Sequence, residues 1–166
     1  MNQALADKLM LNPLETPDFK GVANWLRNCS SEERVLFLKR HFDHRASYRL
    51  AISTVNNRNE AAELVQFGLD AFVKPHSQQT KGIIQFGIVK IGVSQTVAAI
   101  AERIDSQPHV VDMGLYWFPR IVSDADLKGS RFADLQHDAT EKGIIRPPRR
   151  IEHPDGTVTY ADRYAD

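Results

Sequence analysis

Cysteine is almost missing from this chain: Cys29 is the only one in 166 residues. An internal disulfide is therefore excluded, and the lone thiol agrees with a reducing compartment. A charge surplus is also missing. Lysine and arginine total 21 against 21 aspartates and glutamates, which removes the simplest case for a nucleic-acid binder and leaves only local basic patches. No apolar run approaches the roughly 18 residues of a membrane span, so no membrane partner is expected. Met1 to Leu11 carry Asp7 and Lys8 inside a broken apolar pattern. That is not the basic start and unbroken apolar core of a signal peptide, and the expected location is cytoplasmic. Phosphate loop, dinucleotide glycine pattern and nucleophile elbow are all absent from the sequence.

What remains is helix signal. The length suits one domain that can hide about 70% of its unfolded surface, so no metal is needed to hold a core. Thr16 before Pro17 gives a cap and a first-turn proline, and Phe19, Val22, Ala23 and Leu26 recur on one helical face. Ser30 and Glu33 have capping-box spacing ahead of Val35, Leu38 and Phe42. A third helix is expected over about 46–55. After the turn Asn56-Asn57-Arg58-Asn59, Asn59 is expected to cap a fourth, striped by Ala61, Leu64, Val65, Gly68, Leu69 and Phe72. Pro75 follows it. Ile84, Gly87, Ile88 and Ile91 mark a fifth helix, and Val97, Ile100, Ala101 and Ile104 a sixth. Pro108 opens a seventh, which Pro119 should kink or shorten. Ser130 is placed to cap an eighth, closed by Gly143. Leu26, Leu38, Leu50, Leu64, Leu69, Ile88, Ile100 and Ile104 are the expected core.

The pattern changes after Gly143. Residues 144–166 begin with the basic, proline-rich Arg146-Pro147-Pro148-Arg149-Arg150, then alternate around Pro154-Asp155-Gly156 as a short β-hairpin would. The reading is a helical region over 1–143 and a linker with a β-hairpin or tail over 144–166.

The eight expected helices fall into four pairs, about 17–42, 46–73, 79–104 and 108–142, with a period near 30 to 36 residues. Ile52-Ser53-Thr54-Val55 and Ile88-Val89-Lys90-Ile91 occupy equivalent places, each followed by a polar turn and an apolar helix. Residues 46–142 resemble HEAT-like repeats. Ile84 to Ile104, with Ile91-Gly92 at the turn, carries most of the likeness, and Asp112 to Pro119 resembles the proline-bearing first helix of such units. The resemblance implies an all-α solenoid of antiparallel helix pairs with a concave binding face, and it supplies no catalytic residue.

Several polar clusters are candidate sites. His41, Asp43 and His44 have side chains that suit a transition metal, but two histidines one turn apart fall short of a ligand set. His137-Asp138 resembles the histidine-aspartate pair of HD-type metal-dependent phosphohydrolases. There His109 or His44 would supply the upstream histidine, and Asp155 or Asp162 the downstream aspartate. Arg34, Lys39, Arg40, Arg45 and Arg49 form the strongest basic set for nucleic acid. Tyr116-Trp117-Phe118 is the densest aromatic run, and three consecutive helical residues cannot all face one core.

The expected function is non-catalytic: an adaptor or regulator without a cofactor that binds another protein. Its expected binding residues are Tyr116, Trp117 and Phe118, together with Glu63, Gln66, Gln95, Glu102 and Arg103 facing outward from one helix row. An HD-like hydrolase and a nucleic-acid binder are the alternatives.

Overall fold

A computed structural model describes residues 2–11, 19–42, 45–73, 78–145, 149–152 and 158–161. Among these the chain forms ten helices: α1 (Gln3–Leu11), α2 (Phe19–Asn28), α3 (Ser31–Arg40), α4 (Arg45–Thr54), α5 (Arg58–Phe72), α6 (Gln78–Lys90), α7 (Val93–Ala101), α8 (Pro108–Ile121), α9 (Asp124–Lys128) and α10 (Phe132–Glu141). Eight of them lie where periodicity places them. The others, α1 and the five-residue α9, lie outside the expected set. Residues 149–152 (β1) and 158–161 (β2) pair antiparallel, with Arg150 opposite Tyr160 and Ile151 opposite Thr159. The Thr16-Pro17 cap, Pro75 and the Pro154-Asp155-Gly156 turn lie outside the described residues.

Local chemistry explains several helix ends. Ser30 and Glu33 form a reciprocal capping box on α3: the Glu33 amide donates to Ser30 Oγ at 3.2 Å, and the Ser30 amide donates to Glu33 Oε2 at 3.0 Å. On α5 the cap is Asn57 rather than Asn59. Asn57 holds extended backbone, and its side-chain oxygen accepts from the Asn59 amide at 2.8 Å. Gly92 and Gly143 have φ of +93° and +68°, which lets the chain turn sharply after α6 and α10. Pro119 does not shorten α8, which runs on to Ile121. It stands in the last turn, where its missing amide removes one bond, to the Leu115 carbonyl, and little helix remains beyond it to be displaced.

The helices touch in two successions. In one row α2 meets α4, α4 meets α6 and α6 meets α8. In the other α3 meets α5, α5 meets α7 and α7 meets α10. Between the rows, α6 packs on α5 and α7, and α8 on α7 and α10. The core lies along this seam. Leu26, Leu38, Leu50, Leu64, Leu69 and Ile100 are buried there as expected, whereas Ile88 and Ile104 are only partly covered. On α6 the fully buried apolar residues are instead Ile83, Ile84 and Phe86, around more than one side of the helix. A helix with neighbours in both rows cannot keep a single apolar stripe.

Ion pairs and side-chain bonds tie one helix to the next. Arg34 pairs with Glu60 at 3.0 Å, joining α3 to α5, with only 13% and 6% of the two side chains exposed. Arg58 donates to the Ile91 carbonyl at 2.9 Å, joining the start of α5 to the end of α6. Arg27 reaches the Ser53 carbonyl at the end of α4.

Candidate binding surface

The row α3–α5–α7 carries most of the expected polar binding residues. Lys39 on α3 meets Glu63 on α5 at 2.7 Å. One turn further along α5, Gln66 donates to Glu102, just past the end of α7, at 3.5 Å. Gln95 on α7 accepts from Arg58 at 3.1 Å. Glu63, Gln95 and Glu102 are exposed and Gln66 is half-buried. Sequence spacing thus identified a real polar face, although its side chains already bond one another.

Arg103 departs from the outward placement expected of it: the residue is only 7% exposed. Its guanidinium is shared among Asp70 Oδ1, the Gln66 carbonyl and side chain, and the Ala99 carbonyl. A rigid five-donor fork that reaches four acceptors serves to fasten α7 to α5. The aromatic run is mostly interior as well. Phe118 is fully buried and Trp117 is 8% exposed, with its indole Nε1 buried and without a hydrogen-bond partner among the described residues. Lys81 lies over the Trp117 ring, 5.4 Å from its centre. Tyr116 is half-buried, with Arg120 stacked 3.7 Å from its ring centre. The physical reason is position: α8 packs against α6, α7, α9 and α10, so neighbours cover more than one of its sides. Of the three aromatics, Tyr116 alone keeps an accessible side.

Between α3 and α5 lies an open groove of about 420 Å³, lined by Ser31, Glu32, Val35, Leu36, Lys39, Asn57, Asn59, Glu60 and Glu63. Its floor includes the buried Glu60, which accepts from Arg34 and Ser31. Glu32 is exposed at its edge, and Leu36 is 57% exposed beside it. Sequence reading missed this groove because its lining residues come from two helices about 25 residues apart.

The metal candidates do not assemble among the described residues, where no three His, Cys, Asp or Glu side chains gather in reach of one ion. His41 is buried and bonded through Nε2 to Asp7 at 2.7 Å, which ties α1 to the end of α3. His137 and Asp138 are exposed on α10, and His109 is exposed at the start of α8. Asp43, His44, Asp155 and Asp162 lie outside the described residues. In the basic set, Arg34, Lys39 and Arg40 each sit against a carboxylate, those of Glu60, Glu63 and Asp7. Arg49 is exposed on α4, the helix that Arg45 begins.

Burial pushes the Cys29 thiol above its ordinary pKa, Glu33 adds to the rise and Arg34 partly opposes it. That leaves less of the nucleophilic thiolate at neutral pH. Among the described residues no helix is long and apolar enough to cross a membrane. No family model matches the chain, and neither does any curated protein or solved structure.

Proposed function

We propose that the chain is a non-catalytic protein-binding module: a HEAT-like solenoid of antiparallel helix pairs, ending in a β-hairpin, that receives its partner along the α3–α5–α7 row. The observation that carries this reading is the double succession of contacts, α2–α4–α6–α8 and α3–α5–α7–α10. Stacked helix pairs bury their apolar stripes against their neighbours and leave a continuous side of each row open. On the α3–α5–α7 side that opening offers exposed carboxylates, an exposed leucine and a groove. Tyr116, a partly covered aromatic, lies on α8, which packs on α7.

Affinity capture from cell extract tests it. Three chains are compared: wild type, one carrying Glu63→Lys with Glu102→Lys, and one carrying the exposed α10 substitution Gln136→Lys. A specific protein should be retained by the first and third and lost from the second, while all three keep the same helical circular dichroism. Retention of an identical set by all three would remove the α3–α5–α7 row as the binding side.

A further inference from the structure

The balanced net charge conceals a segregation among helices α2 to α7; α8, which extends the first row, carries both Asp112 and Arg120. Helices α2, α4 and α6 carry six basic residues, Lys20, Arg27, Arg45, Arg49, Lys81 and Lys90, and no acidic one. Every acidic residue within α2 to α7 lies on α3 or α5. The basic residues of α3 are each held against a carboxylate, by Glu60, Glu63 and Asp7. Lys20, Arg49 and Lys90 form no ion pair among the described residues.

Apolar exposure has the same two-sided arrangement. Only three large hydrophobic residues are exposed among the described residues: Leu5, Leu36 at 57% and Val89 at 61%. Leu36 lines the α3–α5 groove together with Glu32, Glu60 and Glu63 and one base, Lys39, which is paired with Glu63. Val89 lies on α6 in line with Gln85 and Lys81 at four-residue spacing, beside the helix that exposes Arg49. An apolar centre with a charged rim is the usual plan of a protein interface. Here one exposed apolar residue lies in a groove lined by three carboxylates and one base, and another lies on a helix pair, α4 and α6, that holds bases and no acid.

We propose that the occupant of the α3–α5 groove is a second copy of this chain, presenting the basic α4–α6 face with Val89 toward Leu36. The proposal rests on the reading of the α3–α5–α7 row as a protein-binding side. Leu36 and Val89 are exposed on helices of different rows. Joining unlike patches is a head-to-tail contact, which adds copies in an open series instead of closing at a dimer. Opposite rims also make the association weaken with salt, because screening shortens the reach of exposed charges to about 10 Å at 0.1 M.

Sedimentation velocity on the full chain, with two single substitutions, tests this. Leu36→Lys spoils the groove and leaves the basic face intact; Val89→Glu does the reverse. Both positions are exposed, and circular dichroism checks that each variant folds. Wild type should sediment faster as concentration rises, without a plateau at dimer, and its apparent affinity should weaken by about tenfold or more in 0.5 M salt. Each variant alone should be monomeric. Mixed one to one, they should form a dimer and stop, since only one intact pair of faces remains. A wild type that is monomeric up to about 1 mM overturns the proposal. So does association that neither substitution affects, or a mixture that stays monomeric while wild type associates. If wild type is monomeric but Glu63→Lys with Glu102→Lys still loses an external partner in the capture experiment, self-docking falls and the binding side stands. If both experiments are negative, both readings fall.

Discussion

Arg103 donates to a single oxygen of Asp70 twice, from Nε at 2.9 Å and from Nη2 at 2.7 Å, across 33 residues of sequence. The arginine side chain is 8% exposed and the aspartate 55%. That asymmetry says where the stabilisation resides. The carboxylate is half in water, so the ionic part is screened and small. The buried guanidinium also satisfies the Gln66 and Ala99 carbonyls, which would otherwise lose a donor.

Replacing Arg103 with methionine should therefore lower stability by about 1–3 kcal/mol, whereas Asp70→Asn should cost less than about 1 kcal/mol. Arg103→Lys should keep most of the loss, because an ammonium cannot reach several acceptors in a fixed fork. Urea denaturation of the single and double variants measures the coupling. Equal losses from Arg103→Met and Asp70→Asn would place the stabilisation in the ion pair instead.

Trp117 is the second test of interior against surface. Trp117→Ala should cost about 3–5 kcal/mol, through lost burial and a remaining cavity. Trp117→Phe should cost clearly less, since it keeps a ring and removes an indole N–H that is buried without a partner among the described residues. Denaturation midpoints decide between them. An alanine variant as stable as wild type would return this residue to the surface.

A pH dependence follows from the α3 cap. The Ser30 hydroxyl, and next its backbone amide, hold the Glu33 carboxyl below its ordinary pKa. A carboxylate depressed by folding adds stability above its unfolded value, about 4.3 for glutamate, and that contribution disappears as pH falls through the lower folded value. Wild type should therefore exceed Glu33→Gln in stability at neutral pH, and the gap should close as the medium becomes more acidic than pH 4.3. Thermal melts at a series of pH values provide the comparison. A gap that widens in acid would show the sign to be wrong.

Much of the local order that depends on neighbours within a turn or two was legible in the sequence, although the Asn57 cap of α5 and the short α9 were not. The Ser30–Glu33 box, the glycine end at Gly143 and the stripes of Leu26, Leu38, Leu50 and Leu64 all belong here, because capping and helical periodicity act over three or four residues. The polar face of Glu63, Gln66 and Glu102 was legible for the same reason.

Tertiary structure decided what depends on partners remote in the chain. It buried Trp117 and Phe118, because α8 is covered by several helices and an aromatic run does not reveal how many neighbours its helix will have. The same remoteness turned Arg103 inward, toward acceptors on α5 more than 30 residues away. Arg34, Lys39, Arg40 and His41 went to carboxylates on other helices, leaving α2, α4 and α6 with bases and no acid, while α8 at the end of their row holds Asp112. Sequence supplied equal numbers of both charges and a period for the helices. Which charges neutralise one another, and which remain on a surface, is set by the row into which each helix packs.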